Sequence, residues 1–545
     1  MQKGISARRF ALTALAAAST ALAQAQAPAP AASAPAAPPP APLTSVPPPA
    51  FPIKGFKVTG ENPLGDGDTS RVLAPYIRAN ASIDTLQQAA AALEKELRDK
   101  GYGLHRVSLP PQEVGDTVTL TIVKFTIAKV EIDGRQIYSE ANVRRSLPEL
   151  KEGGTPNFSK LAIETAITNE NPNKQVQVGL KESEELDKID ATITVKEQKP
   201  WNFGVGISNA GTRNSGRDRF TVSGSHSNLW DRDHQLVAAY TTSLQRPGDV
   251  KQIGLTYKVP LYAMGGVVGA TFTKSDVIGN FGAFSSTGAG HTMGLSYTHY
   301  LAPQGGRRSY VSFALDDKLF KATEIDRVPV PGQVDRRSAP FTVGYVARTE
   351  TDKYVLGYEA DLAYNTGLGA HDDLASYQAE DPRVSTVHWK ALRGNINFTM
   401  PFSGNWLMSA RGSWQLSPDV LISGEQFGLG GLGSVRGTDI DRPITGDSGL
   451  VGTFEVQTPE LVQGLRVLGF TDAGWLSNHK ANGANRLSSD RLASVGLGLR
   501  YSKAPVAVSA DYGRIVVGSR VAPAFNSAAP KRGDDRFYIN LQLQF

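Results

Sequence analysis

Only a few residue sets in the chain could carry chemistry, and each lacks part of what that chemistry needs. Gly428, Gly430 and Gly433 fit the G-x-G-x-x-G spacing of a dinucleotide loop, but Arg436 and two aspartates follow within eight positions. A pyrophosphate is bound at a helix N-terminus, and no helical pattern opens here, so the match predicts only a glycine-rich loop. The dipeptide Gly-Lys does not occur, which excludes a P-loop, and the H-E-x-x-H and G-x-S-x-G motifs are absent as well.

The residues that usually bind metals or act as nucleophiles are equally sparse. The chain has no cysteine, which excludes disulfides, thiolate catalysis and cysteine metal sites. Its eight histidines are scattered, and the pairs His226/His234 and His291/His299 are predicted to lie on strands as isolated residues. We therefore predict no catalytic residue, no metal site and no cofactor, and we expect that the protein is not an enzyme.

Charge and hydropathy exclude two further classes. The net charge is +5 over 545 residues, and no basic run accompanies it, so we predict no nucleic-acid partner. No uncharged apolar run reaches eighteen residues, which excludes a helical integral membrane protein. A β-barrel stays open, because its strands alternate between apolar and polar residues and average to a polar composition.

The N-terminus has the pattern of an export signal. Lys3, Arg8 and Arg9 precede an apolar stretch over 10–23 that ends in small residues, so residues 1–23 are predicted to be a signal peptide. Residues 24–50 are rich in alanine and proline, which predicts an extended or disordered linker. The mature chain would then start in an exported compartment.

Two small modules of mixed structure should follow the linker. Residues 51–125 show a strand, two helical pieces and two strands of period two, and residues 126–199 repeat that order. The clearest helix covers 83–100, where apolar residues recur every three or four positions. This pattern predicts a duplicated β-α-α-β-β unit; two unrelated α+β pieces are the alternative.

The last 346 residues, 200–545, lose helical periodicity. We count sixteen segments of about ten alternating residues, separated by Gly, Pro, Asp, Asn and Ser. A tilted membrane strand needs roughly 9–11 residues and single-chain outer-membrane barrels have even strand numbers, so we predict a transmembrane β-barrel of about sixteen antiparallel strands. A soluble all-β protein is the alternative.

The connections and the aromatic residues give this barrel an orientation. Turns after even-numbered strands are short, whereas several on the other side are long, above all 418–448. Aromatic residues fall at the predicted periplasmic strand ends, as an interfacial girdle would. They are Trp201, Trp230, Tyr262, Tyr300, Phe402 and Trp406. The last strand alternates up to a terminal phenylalanine, Phe545, which resembles the assembly signal of bacterial outer-membrane barrels.

Two motifs in the barrel region carry a family resemblance. The stretch GLGGLGSVRGTDIDRP (428–443), with Val435, Arg436 and Gly437, resembles the sixth extracellular loop of the superfamily of outer-membrane insertases and translocases. The stretch GFTDAG (469–474), with Phe470, Asp472 and Gly474, resembles that superfamily's F-x-D-x-G barrel strand.

The modules before the barrel carry the resemblance further. Both resemble POTRA domains, and GYGLHRVSLPPQEV (101–114) resembles the first POTRA domain of two-partner secretion transporters, the hemolysin and filamentous-adhesin secretion family. The likeness covers nearly all of the mature chain.

The resemblance implies an outer-membrane pore with POTRA modules in the periplasm. It implies that the modules recognise a large, unfolded, β-rich exoprotein, which the barrel secretes without nucleotide. It also implies outer-membrane lipid and the barrel-assembly machinery as partners, and an Arg436 held in the lumen by Asp472. Strand parity agrees, because Leu468, Phe470 and Asp472 share one face and Trp475 lies on the other.

Two alternatives and two departures from the family remain. The alternatives are an insertase that folds other barrels and a passive solute channel. The residue after Val-Arg-Gly is often aromatic in relatives and is Thr438 here, so contacts of this loop should differ. Relatives often carry an N-terminal helix that plugs the pore, whereas residues 24–50 are too rich in proline for a helix.

Overall fold

The computed structural model describes residues 50–113, 115–213, 215–281, 283–322, 324–325, 328–483 and 486–545. The predicted signal peptide (1–23) and all but the last residue of the predicted linker (24–50) lie outside these ranges. None of the helices in the ranges described is long and apolar enough to cross a membrane.

The first module has the predicted order of elements. Its strands and helices are β1 Gly55–Gly60, α1 Asp66–Leu73, α2 Ile83–Asp99, β2 His105–Ser108 and β3 Thr117–Lys124. Helix α2 begins with a capping box in which Ser82 and Thr85 bond each other's backbone, and it buries the apolar face that the periodicity predicted. The sheet order is β1-β3-β2, so β2 is an edge strand.

The second module repeats this order. Its elements are β4 Thr126–Asp133, α3 Glu140–Ser146, α4 Phe158–Thr168, β5 Lys174–Glu182 and β6 Lys188–Glu197. The sheet order is β4-β6-β5, which makes β5 an edge strand in the position that β2 has in the first module. The predicted duplication is therefore confirmed.

The two modules share a tight joint. A single residue, Phe125, separates β3 from β4. Asn157 caps α4 by accepting from the amides of Ser159 and Lys160, and its Nδ2 donates to the carbonyl of Lys100 at the end of α2 (3.0 Å). Gly101 follows with φ +91°, where a Cβ would lie 2.3 Å from the Asn157 side chain, so only glycine fits there.

The rest of the chain forms a closed antiparallel barrel of sixteen strands, which confirms the predicted fold class. The strands are β7 Trp201–Ser208, β8 Arg219–Leu229, β9 His234–Thr242, β10 Lys251–Leu261, β11 Gly266–Ser275, β12 Gly290–Tyr300, β13 Arg307–Phe320, β14 Arg336–Ser338 with Pro340–Glu350, β15 Val355–Asn365, β16 Lys390–Phe402, β17 Trp406–Leu416, β18 Ser448–Gln457, β19 Leu465–Ser477, β20 Ser489–Lys503, β21 Val506–Val517 and β22 Asp535–Gln544. The last strand, β22, closes the barrel on β7.

Strand alternation decides which side chains line the lumen. Phe537, Ile539 and Leu541 of β22 are exposed on the outer face, while Tyr538 between them is buried inside. Long connections lie at the end away from the modules, notably 366–389, which contains helix α5 (Leu374–Glu380), and 417–447. Turns at the module end are short.

The predicted aromatic girdle is wrong at two positions. Trp201, Trp230 and Trp406 are exposed on the outside, but Tyr262 and Tyr300 are buried. These two tyrosines pack against Ala166 and Ile167 of α4 because the second module sits on this part of the barrel rim. The sequence predicted that the two tyrosines lie at strand ends, but it did not predict that the second module covers them.

Candidate functional site

The connection 417–447, the sixth at its end of the barrel, returns into the lumen. Within it, Phe427–Leu429 and Ile444–Gly446 pair as a short antiparallel hairpin. Leu429 and Ile444 join a buried apolar cluster with Val451, Leu476 and other wall residues, so the hairpin is packed against the barrel wall. We refer to 417–447 as loop six.

Arg436 of loop six is buried and meets Asp472 of β19. Its Nε lies 2.9 Å from Asp472 Oδ2 and its Nη2 lies 2.8 Å from Oδ1, a bidentate pair. The Arg436 backbone N–H also donates to Oδ2 (3.0 Å), and Ser494 donates to the same oxygen (3.2 Å). Asp472 is fully buried, so both of its oxygens depend on these protein donors.

Two more carboxylates share the same guanidinium. Arg436 Nη1 lies 2.8 Å from Glu455 of β18 and 3.4 Å from Asp511 of β21. Each of these two carboxylates also forms an ion pair with a second arginine. Arg411 Nη2 lies 2.9 Å from Glu455 Oε1, and Arg500 Nη2 lies 2.9 Å from Asp511 Oδ1. Three arginines therefore balance three carboxylates, and such a network offsets the desolvation cost that a lone buried charge would carry. We call these six residues the loop anchor.

The aromatic residue of F-x-D-x-G contacts the same arginine. The guanidinium carbon of Arg436 lies 3.3 Å from the ring centroid of Phe470, which is a cation–π contact. Leu468, Phe470 and Asp472 all face inward, while Trp475 is exposed on the outer face. The structure thus brings Arg436, Phe470 and Asp472 together at one point of the lumen.

The residues on either side of Arg436 fix the loop by close packing against the barrel wall. Val435 is fully buried in the apolar cluster. Gly437 has φ +110°, and a Cβ there would lie 3.0 Å from the carbonyl oxygen of Gly513 on β21. A Cβ on Gly513 would in turn lie 2.9 Å from the backbone of Arg436, so the close approach of loop and strand requires glycine on both sides.

Two further positions show how the motif residues fit the loop. A Cβ on Gly474 would lie 2.5 Å from the Leu429 side chain, which explains the glycine of F-x-D-x-G at this position. Thr438 accepts a hydrogen bond from the amide of Gly431 (2.7 Å) and donates to the carbonyl of Ile440 (2.9 Å). The departure from an aromatic residue therefore produces a contact within loop six.

The terminal residue lies elsewhere. The Phe545 side chain is exposed on the outer face, and its backbone N–H donates to the carbonyl of Phe203 on β7 (2.8 Å). This bond extends the pairing that closes the barrel.

Sequence reasoning missed four members of the loop anchor. Glu455, Asp511, Arg411 and Arg500 were not singled out, although the two carboxylates are buried on lumen-facing strand positions. Tyr538 of β22 was not connected with the loop either. Its hydroxyl accepts from the amide of Gly437 (3.2 Å) and donates to the carbonyl of Thr438 (2.8 Å).

A second buried polar contact joins the second module to the barrel rim. The ammonium of Lys174, at the start of β5, lies 2.6 Å from Asp233 Oδ2 and 2.7 Å from Asn142 Oδ1. Tyr262 and Asn171 also donate to Asp233. Burial lowers the pKa of Lys174, which the Asp233 carboxylate opposes. The sequence assigned Lys174 only to a strand, so this contact, the rim contact, was not predicted.

The buried ion pairs of the loop anchor and of the rim contact can hold parts of the protein in place. Among the described residues, no group of three or more histidine, aspartate or glutamate side chains is arranged to hold a metal ion. The lumenal carboxylates nearest loop six are engaged by arginines. Such an arrangement can fix the position of a loop and can release it when ion pairs break.

Comparisons with known proteins give this architecture a family. Residues 187–501 match the model of the haemolysin secretion/activation protein ShlB/FhaC/HecB, and residues 51–124 match the POTRA domain of ShlB type. The chain is similar to the outer membrane transporter CdiB of Escherichia coli, with 25% identity over 78% of this chain and 73% of the relative. It is also similar to the heme/hemopexin transporter protein HuxB of Haemophilus influenzae, with 21% identity over 88% of this chain and 84% of the relative.

Solved structures agree with the fold. CdiB from Escherichia coli superimposes with a TM-score of 0.72 at 20% identity, covering 93% of this chain and 92% of that one. CdiB from Acinetobacter baumannii gives 0.69 at 15% identity, covering 91% and 90%. With the family model matching more than half of the chain, the secretion transporter is favoured over the insertase and the passive channel. The chain belongs to the haemolysin secretion/activation family, and it is an outer-membrane transporter of two-partner secretion with its POTRA modules in the periplasm.

Proposed function

We propose that the protein secretes one large, β-rich exoprotein, which reaches it unfolded and is recognised by the two periplasmic modules. The observation that carries this proposal is the pair of open sheet edges. Among the residues that the structure describes, strand β2 pairs only with β3 and β5 only with β6, so each leaves one edge of backbone groups unpaired by a strand. An unfolded chain can add to such an edge by main-chain hydrogen bonds, without a fixed sequence.

The two edges differ in what they offer. Strand β2 has four residues, whereas β5 has nine, and the second half of β5 is exposed. The buried start of β5 carries Lys174, so the same strand that offers an edge also contacts the barrel rim. This continuity supports transfer of a bound segment from module to pore.

Transport through the barrel needs a wide polar passage and a driving force. We propose that loop six shapes the passage and that the loop anchor, with Arg436 at its centre and Asp472 as its main partner, keeps loop six in place. The driving force is folding of the cargo outside, because a stretch that has folded cannot return through the pore. The protein then uses no nucleotide and no cofactor and performs no catalysis on its cargo. Its other partners are outer-membrane lipid and the barrel-assembly machinery. The machinery recognises the last strand, which ends at Phe545.

Deletion of residues 53–125 tests the role of the modules. The second module keeps its own core and its rim contact in this variant, so the barrel should insert and conduct ions. Secretion of the exoprotein should be lost at equal barrel level. Secretion that persists in the deletion would contradict recognition by the first module.

The driving force has a separate test. Purified protein in nucleotide-free lipid vesicles should translocate unfolded exoprotein when the far side permits folding. A far side that holds urea should stop translocation. Translocation that requires added nucleotide would contradict the proposal.

A further inference from the structure

We infer that the unfolded cargo follows one side of the lumen, a hydroxyl-lined track on strands β10 to β12, opposite loop six. This inference rests on the proposed function and adds the path of the cargo to it. Two cavities in the lumen carry it. They lie against the same strands and share two side chains, Gln235 and Lys258.

The larger cavity has a volume of about 740 Å³ and lies towards the far end of the barrel. Loop six forms one side of it through residues such as Gln426 and Arg442. The smaller cavity, about 110 Å³, lies at the module end, where Ile167 and Asn171 of the second module close it against Tyr300. Together the cavities lead from the second module to the outside along one wall.

The chemistry of this wall suits a polypeptide of any sequence. The residues that face the two cavities from β10, β11 and β12 are mainly short hydroxyl side chains: Thr256, Thr271, Thr273, Ser275, Thr292, Ser296 and Thr298. A hydroxyl both donates and accepts, so it can pair with a backbone N–H or C=O in either direction. Because the side chains are short, they also leave width for an extended chain.

The wall beyond the track is occupied differently. Lys318 of β13, the cross-strand partner of Thr292, and Arg393 of β16 bond Glu425 of loop six, and the loop anchor takes up the charges nearest Arg436. A passing chain would have to break these ion pairs to bind their members. Most of the track hydroxyls are engaged less strongly. Thr256 and Thr271 bond each other (3.4 Å) and Ser296 bonds the Gly269 carbonyl (3.4 Å), whereas Ser275 is occupied by Gln252 and Val277.

The two shared residues have free polar groups. Across the described part of the chain, neither the Gln235 amide nor the Lys258 ammonium has a hydrogen-bond or ion-pair partner, and Lys258 is exposed to the lumen. Both project where the two cavities meet. An unpaired cation at the middle of the track favours cargo segments with carboxylates. We therefore assign the track to an extended polypeptide of small polar and acidic residues, with Lys258 as the residue that sets the charge preference.

The small cavity shows that the track is narrow at its entrance in this conformation. A cavity of ~150 Å³ holds one benzene molecule, so a space of about 110 Å³ accepts about one side chain. Entry of a polypeptide therefore requires the end of α4, with Ile167 and Asn171, to move away from the rim. The rim contact at Asp233 is the polar part of the interface that has to open.

Disulfide trapping tests the path, and the chain is suited to it because it has no cysteine of its own. Thr271→Cys and Ser296→Cys place a thiol on the track. Ser413→Cys and Thr453→Cys are matched controls on the loop-six side, at lumen-facing positions of β17 and β18. Each full-length variant is reconstituted in lipid vesicles with the modules outward.

The probe is an unstructured peptide of about 30 residues of Gly, Ser, Asn and Asp, which spans ~100 Å when extended. Its one cysteine is carried as a 2-pyridyl disulfide, so that attack by the barrel thiolate forms the mixed disulfide and releases thiopyridone. The two track variants should form the mixed disulfide at least ~10-fold faster than the controls, since positioning raises the local thiol concentration. Faster trapping at Ser413 and Thr453 would overturn the track and leave secretion of polypeptides intact. Trapping at none of the four would overturn the track and also contradict polypeptide passage.

A second measurement isolates Lys258. In planar bilayers, Lys258→Glu should lower the rate of current blockade by the acidic peptide by ~10-fold, with Lys258→Gln between it and the wild type. Blockade by the same peptide with Asn in place of Asp should change little. Equal blockade rates for the acidic peptide in all three proteins would overturn the assignment to Lys258.

Discussion

Removal of the Arg436 side chain should release loop six from the lumen without unfolding the barrel. In Arg436→Ala, the fully buried Asp472 keeps only the backbone N–H of residue 436 and Ser494 as donors. Loss of one partner from a buried ion pair costs about 3–5 kcal/mol, which exceeds what a surface loop contact contributes. Glu455 and Asp511 retain Arg411 and Arg500, so the rest of the wall stays neutral.

The geometry ranks three further variants. Asp472→Ala leaves Arg436 bonded to Glu455 at 2.8 Å, so we expect a smaller loss of about 2 kcal/mol. The double variant should be close to Arg436→Ala alone, because both changes remove one contact, with a coupling energy of about 2 kcal/mol. Arg411→Ala is the matched control: it takes an arginine from the same Glu455, but its side chain is 55% exposed, so the loss should be under about 1 kcal/mol.

Two assays read the outcome at equal barrel level. Thiol labelling of Val435→Cys in intact cells reports release of the loop, because Val435 is fully buried when the loop is in place. The yield of secreted exoprotein reports the consequence for transport. Labelling should be fast and secretion strongly reduced with Arg436→Ala, and both should stay near wild type with Arg411→Ala.

Two results would refute this reasoning. One is an Arg436→Ala protein whose Val435→Cys thiol stays unreactive, which would mean that apolar packing alone holds the loop. The other is a double variant whose losses are the sum of those of Arg436→Ala and Asp472→Ala, which would mean that the two residues act on different contacts.

Three other changes have defined outcomes. Lys174→Met leaves Asp233 buried without its cation, so limited proteolysis should cut the second module free faster, whereas Lys181→Met on the exposed part of the same strand should not; equal cutting would contradict the rim contact. Burial raises the pKa of Glu164 from 4.5 to about 7, so the contribution of Glu164 to the stability of the second module is largest below pH 4.5 and falls by about 3 kcal/mol as pH rises to 7. Glu164→Gln should abolish this slope in hydrogen exchange measured across that range, and a slope that persists would assign it to another group. Deletion of Phe545 should lower the amount of heat-modifiable barrel in the outer membrane, because the chain loses the two backbone hydrogen bonds that Phe545 exchanges with Phe203 of β7; unchanged levels would contradict its role in assembly.

Much of the fold follows from the sequence because strand and helix patterns are local. Alternation with period two predicted all sixteen barrel strands, and the segments 251–261, 390–402 and 406–416 begin and end where the pattern does. The same parity placed Leu468, Phe470 and Asp472 on one face, since successive side chains of a strand point to opposite sides. The repeated β-α-α-β-β order was likewise visible from periodicity and caps.

The tertiary structure decided which of these faces meet. Arg436 reaches Glu455, Asp472 and Asp511, which lie on three different strands, because barrel closure and the fold of loop six bring them to one point. Strand parity predicts that a carboxylate faces the lumen. It does not predict the position of that carboxylate along the barrel axis or the loop that covers the carboxylate. Tyr262 and Lys174 show the same limit, because their burial depends on the docking of one folded unit on another. Local pattern therefore determined the elements and their inner faces, while long-range packing decided the partners of each buried charge.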